Sequence, residues 1–248
     1  MKKWIVLGVL MFSLFNKTSF SQEVYGKPNI WFFQLTNFDI CKKVSLGNEL
    51  HMRFDNYFGD KQQFLFRPFV DYKFKENVIF SAGYTLIRTY PYSKYPVVAT
   101  TPENNIWEQV TLKQQFNKLT ILHRYRYEQR WMGNLQYKAS ENDYTVSDYT
   151  FGHRFRYRIT FMYNFHKKWF AHIFDELWVK ADKKFRSGSF DRNWVYAGLG
   201  YNVTEFLNVQ LAYLHQFVPK SSSLLERHHG LQVSAVLHLK SKKAKGIE

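Results

Sequence analysis

From residue 119 to 131 the chain reads LTILHRYRYEQRW, and an ionised group recurs at every second position: Arg124, Arg126, Glu128 and Arg130. The other parity holds Leu119, Ile121, Tyr125, Tyr127 and Trp131. Side chains of a β-strand alternate between two faces, whereas those of a helix return to one face every 3.6 residues. The stretch is therefore a strand with one charged face and one face made mostly of rings. The pattern recurs in VSLGNELHMRFD (44–55), where Val44, Leu46, Leu50, Met52 and Phe54 alternate with Ser45, Glu49, His51, Arg53 and Asp55. In FGHRFRYRITFMYNF (151–165), Phe155, Tyr157, Ile159 and Phe161 alternate with Arg154, Arg156, Arg158 and Thr160. Near the end, Leu231, Val233, Ala235 and Leu237 alternate with Gln232, Ser234 and His238. A one-residue slip would exchange the two faces, so register is firmly specified.

Eleven such segments are legible, near 29–38, 44–57, 62–74, 78–90, 105–116, 119–131, 149–165, 169–180, 191–202, 207–218 and 228–240. Several exceed the roughly 5–6 residues usual for a globular strand. They match the roughly 9–11 tilted residues with which a strand crosses a bilayer. The connectors KEN (75–77), NK (117–118), HKK (166–168) and NVTEF (202–206) are short. Between them fall the longer stretches 91–105, 132–148, 181–190 and 219–227. Short turns at one end and long loops at the other are the organisation of an outer-membrane barrel.

The expected fold is thus all-β: a closed antiparallel transmembrane β-barrel of 10–12 strands, with short periplasmic turns and longer extracellular loops. Hydrocarbon leaves no backbone group unpaired, so the sheet must close. Bacterial single-chain barrels have even strand numbers. Eleven visible segments therefore favour twelve strands, with an additional crossing inside residues 22–38, over ten. Trp107, Trp131, Trp169, Phe116 and Phe165 stand near segment ends, where aromatic girdles meet the interfaces. His123 and Gln129 interrupt the lipid face and belong near an interface. A soluble periplasmic barrel or sandwich is the competing reading, with the same alternation turned rings-inward.

Lys2 and Lys3, the apolar run WIVLGVLMFSLF (4–15) and TSFSQ (18–22) form a secretory signal cleaved between Ser21 and Gln22. The organisation expected is a signal peptide at 1–21, one barrel domain at 22–240 and a basic tail at 241–248. That places the protein in the bacterial outer membrane, with lipid and lipopolysaccharide as partners. A net charge of +15 favours anionic partners. Export argues against nucleic acid, and many of the cations fall on one face of the strands. Cys41 is the only cysteine, which excludes an internal disulfide.

The charged face defines the candidate site: Arg124, Arg126, Glu128 and Arg130 on one strand, beside Arg154, Arg156 and Arg158 on the next. Glu49, Arg53, Asp71 and Glu176 join them from other strands, with Asp55 and Glu108 as further counter-charges. Like charges facing one another destabilise a sheet, so acids are needed among these arginines. The cluster either plugs a narrow lumen with ion pairs or attracts a small anionic ligand or a flux of anions. No nucleophile elbow, paired-histidine zinc motif or phosphate-cradling loop occurs, so no enzymatic activity and no cofactor are expected. An outer-membrane lipid hydrolase would need a serine beside a histidine. Ser234 and His238 share a face but stand about 13 Å apart along a strand. His228 and His229 adjoin in what reads as a loop.

The segments IWFFQLTN (30–37), RYRYEQR (124–130), FRYR (155–158), FDELW (174–178) and NWVYAGLGY (193–201) resemble a family of exported bacterial proteins catalogued as domain of unknown function 2490. The resemblance spans essentially the whole exported chain. It implies an outer-membrane β-barrel and brings no activity or ligand with it. The chain departs from common barrel practice at HLKSKKAKGIE (238–248), a basic tail where barrels usually end in an aromatic residue.

Overall fold

The computed structural model describes residues 23–92, 97–181, 189–219, 221, 224–241 and 244. The signal segment at 1–21 and residues 242–243 and 245–248 of the basic tail lie outside the described residues. The strands are β1 (Glu23–Tyr25), β2 (Pro28–Asp39), β3 (Val44–Asp55), β4 (Asp60–Lys75), β5 (Val78–Thr89) and β6 (Thr101–Phe116). They continue as β7 (Leu119–Lys138), β8 (Asp143–Asn164), β9 (Trp169–Lys180), β10 (Phe190–Asn202), β11 (Leu207–Pro219) and β12 (Leu224–Lys240).

From β2 to β12 each strand pairs antiparallel with the next, and β12 closes on β2 in parallel. β1 also lies parallel to β12, opposite Leu224–Glu226, while β2 continues opposite His229–Lys240. The two are therefore one wall strand interrupted at Gly26 and Lys27, and the barrel has eleven strands. Gly26 sits so close to β12 that a Cβ there would lie 1.8 Å from the Arg227 carbonyl oxygen. The expected twelve strands are corrected to eleven, because β1 and β2 lie in line along the same neighbour, β12, and supply one crossing. In a meander with an odd count, the first and last strands run the same way, so the closing pair has to be parallel.

The turns 40–43, 76–77, 117–118, 165–168 and 203–206 lie at one end, with the exit of β12. The opposite end carries the start of β1 and the longer connections 90–100 and 181–189. It also carries a hairpin that corrects the long loop expected at 132–148. β7 and β8 stay paired from Met132↔Thr150 to Lys138↔Asp143 and turn only at 139–142. β6 follows β7 no further than Met132, and β9 follows β8 no further than Arg154, so the hairpin stands clear of the wall. Rings facing across it hold it together, with Trp131 and Phe151 at 5.0 Å and Tyr137 and Tyr144 at 5.4 Å. Both of its faces meet solvent, so it lacks the two-sided polarity that marks the wall strands.

Every wall strand presents exposed apolar or aromatic side chains on its outer face, among them Phe32, Met52, Phe66, Tyr84, Ile106, Tyr125, Phe155, Ile173, Leu199, Leu211 and Val233. Phe116, Phe165 and Trp169 are exposed at the short-turn end, and Trp131 is half-buried on the outer face. Trp107 is corrected from girdle to interior: it is fully buried inside the wall, stacked against Gly83, where a Cβ would meet its ring at 2.5 Å. Glu108 is corrected in the opposite direction. It is exposed on the outer face, 3.5 Å from Gln129, and cannot balance an inner arginine. His228 and His229 lie within β12 and not in a loop, one buried inward and the other exposed beside Tyr213.

The inner face is charged along one side. On the other it holds an aromatic cluster of Trp31, Phe174, Trp178, Trp194 and Tyr196 with Ala212 and Leu214. Rings outside and charges inside invert the arrangement of a soluble barrel. Because Gly83 is the floor on which Trp107 rests, Gly83→Leu should cost about 1–3 kcal/mol through forced displacement of the indole. Gly152→Ala, which meets only the Met132 side chain at 3.3 Å, should be nearly neutral. Denaturant unfolding of the detergent-folded protein compares the two.

Candidate functional site: an arginine network inside the barrel

Register brings Arg126 opposite Arg156 and Arg124 opposite Arg158 on β7 and β8, while Glu128 faces Arg154. Two fully buried carboxylates resolve the repulsion. Glu128 accepts from Arg154 Nε at 2.7 Å and from Arg156 Nη1 at 2.6 Å. Glu176, the register partner of Arg158 on β9, accepts from Arg124 Nη2 at 2.5 Å, Arg156 Nε at 2.8 Å and Arg158 Nη2 at 2.5 Å. Arg156 bridges the two glutamates and so joins three strands. Charge-assisted bonds of this kind are about twice as strong as neutral ones.

Further pairs extend the network. Arg130 forks onto Glu103 of β6 at 2.7 and 2.9 Å. Asp191 sits at a register shift in β10, between Phe190 and Arg192. The bulge turns it inward, 3.4 Å from Arg154 and 3.0 Å from Arg192. Arg67 of β4 binds Glu49 and donates from Nε to Thr85 at 2.9 Å. Arg126 lies 4.0 Å from Glu49 and donates to Gln109 at 2.8 Å. In these pairs Arg67, Arg124, Arg126, Arg130, Arg154, Arg156, Arg158 and Arg192 face Glu49, Glu103, Glu128, Glu176 and Asp191. Eight arginines meet five carboxylates, which leaves the network formally positive.

The guanidiniums also lie on rings. Arg126 stacks 3.9 Å from the centroid of Trp107, Arg156 3.7 Å and Arg154 4.4 Å from Trp178, and Arg158 3.9 Å from Phe174. Desolvated cation–π contacts contribute about 2 kcal/mol or more each. Trp178 packs on Trp194 at 4.6 Å and Trp194 on Trp31 at 5.1 Å, which carries the stack across the interior to Arg53, 3.9 Å from Trp31.

All eleven residues of the expected charged cluster point inward, but they do not form one group. Arg53 stands apart on Trp31, towards the long-loop end. Asp71 accepts from Asn37 at 3.1 Å near the short-turn end, close to the set of Asp39, Ser45 and Lys73, and binds no arginine. Asp55 is buried yet forms no ion pair with an arginine among the described residues. Reasoning from sequence missed Arg67, Glu103, Asp191, Arg192 and all the inner tryptophans. Parity was the available signal for several of them: Glu103 and Trp107 share the phase of Gln109, Trp178 that of Glu176, and Trp194 that of Arg192.

Ser234 is buried and accepts from Gln232 at 3.0 Å, while His238 is exposed four residues further on. A hollow of about 690 Å³ lies outside the barrel rather than in its lumen. It is an apolar groove across the outer wall, between the row Ala82, Glu108, Tyr127, Phe155 and the row Phe80, Val110, Tyr125, Tyr157.

A family model described as "Protein of unknown function (DUF2490)" matches residues 28–226. No curated protein matches the chain. Among solved structures, "NanC porin structure in rhombohedral crystal form" is similar over 75% of this chain and 86% of its own, with 11% sequence identity and a TM-score of 0.42.

The network generates a stability prediction. Glu176→Gln keeps the shape of the side chain but removes the buried charge shared by Arg124, Arg156 and Arg158, leaving Arg156 with Glu128 alone, and should destabilise by about 3–5 kcal/mol. Arg158→Gln, at the more accessible edge of the network, should cost less. Urea unfolding of the detergent-folded variants measures both.

Proposed function

We propose that this chain, which belongs to the DUF2490 family, is an outer-membrane β-barrel closed at mid-height, with a non-enzymatic structural, interaction or small-ligand-binding role. The observation that carries the reading is the burial of Glu128 and Glu176. Both are 0% exposed at the centre of the inner face, where a water-filled pore would wet them. Eleven strands also lie between the eight of barrels just filled by side chains and the 16–18 of aqueous porins.

The apolar outer belt supports the membrane setting. Tilted strands of 12 or more residues reach across hydrocarbon, and lipid takes up rings that water would not. In the outer leaflet those rings would meet lipopolysaccharide. The expected result is that the exported protein fractionates with the outer membrane and migrates faster on gels before heating than after. Recovery as a soluble periplasmic monomer without detergent would overturn the setting.

The second reading, a small anion-selective channel, draws on the excess of arginine over carboxylate in the network. Planar-bilayer recording separates the two. A closed barrel should be silent, and a steady anion-selective current altered by Arg126→Ala or Arg156→Ala would promote the channel.

A further inference from the structure

A second hollow lies inside the wall towards the long-loop end, about 140 Å³ in volume and lined by Trp31, Arg53, Trp194, Gln216, Glu226 and His228 among others. We infer that it is a binding site for a small carboxylate, or for the carboxylate end of a larger acid. The inference rests on the reading of the barrel as closed, which makes this hollow a blind vestibule.

Unpaired donors carry the argument. Arg53 Nε, Trp194 Nε1 and Gln216 Nε2 are buried N–H groups with no hydrogen-bond partner among the described residues. Their residues are 6%, 5% and 4% exposed, and all three line this one cavity. Buried polar groups are nearly always satisfied, and each exception calls for a cause. Here all three want an acceptor. Arg53 also forms no ion pair among the described residues, although an uncompensated buried charge is costly. Its Nη1 donates to Gln63 at 2.7 Å, and its plane rests on Trp31, which leaves the Nε edge free.

The other charges of the vestibule are already engaged. Arg192 donates to Asp191 at 3.0 Å, and Glu226 lies 3.3 Å from His228. A register shift beside Arg53 brings both Gln62 and Gln63 to the cavity, and Gln62 accepts from Trp31 Nε1 at 2.9 Å. Bulges commonly re-aim side chains at functional sites. A carboxylate offers two acceptor oxygens and one negative charge, which suits the guanidinium edge and the two neutral donors. The volume corresponds to about four or five waters at their share of liquid volume, room for a short acid or for the acidic end of a longer one. The tryptophan faces would pack against its carbon chain.

The test titrates the full exported chain, folded in detergent, with acetate, glucuronate and inorganic phosphate, following tryptophan fluorescence and calorimetry against chloride at equal ionic strength. Saturable binding of acetate or glucuronate is expected. Arg53→Gln and, separately, Gln216→Leu should each weaken it about tenfold or more while keeping the folded gel mobility. Glucuronate binding more tightly than acetate would identify the carboxylate end of a larger acid, and equal affinity a short free acid. No saturable carboxylate binding, phosphate binding alone, or affinities unchanged in Gln216→Leu would each overturn the site. Conductance of the same samples is read independently. A steady current would remove the closed-barrel reading without bearing on the titration.

Discussion

Glu128 and Glu176, neither reached by water, hold Arg124, Arg154, Arg156 and Arg158 between β7, β8 and β9. The rest of the interior is arranged around this contact. Facing arginines on adjacent strands would push the sheet apart, and only carboxylates on the correct rows hold it together. Burying an ion pair is expensive, and its attraction offsets the cost only when every lone pair and proton is used. That condition accounts for the second tier of partners, from the fork of Arg130 onto Glu103 to the indoles that cover the remaining guanidinium faces.

The same contact sets the polarity of the wall. Once charges and indoles fill the inner face, the opposite parity of every strand turns outward, and that parity is mostly apolar. The outer surface is then suited to lipid on all sides, and the sheet needs no free edge. Odd strand number is compatible with this because a parallel ladder between β12 and β2 satisfies backbone groups as an antiparallel one does. It also places the start of β1 and the end of β12 at opposite ends of the barrel.

Much of the site could be read in advance, since Arg124 to Arg130 and Arg154 to Arg158 announce their common face by period alone. Glu108 and Trp107 show where such reading fails. They are neighbours in the chain, and period 2 assigns them to opposite faces without saying which face is inner. A lone acid among Ile106, Val110 and Leu112 looked like a counter-charge, and the tryptophan looked like an interfacial ring. Arg67 was hidden because the inner face of β4 sets it between Leu65 and Phe69, so no row of charges marks that face. Asp191 was hidden because a bulge breaks the alternation from which its direction would have been inferred.

The sequence by itself determined the strands, the turns at the short-turn end and the division of each strand into two faces. Those depend on neighbours one or two residues apart. Only the tertiary structure decided that eleven strands close the wall, that β1 and β2 share one partner, and which carboxylate holds which arginine. These depend on pairings between residues far apart in the chain, such as Arg124 with Glu176 and Trp31 with Trp194. No local period encodes such pairings. They follow from the circumference at which the last strand meets the first and from the rows that this closure aligns across the lumen.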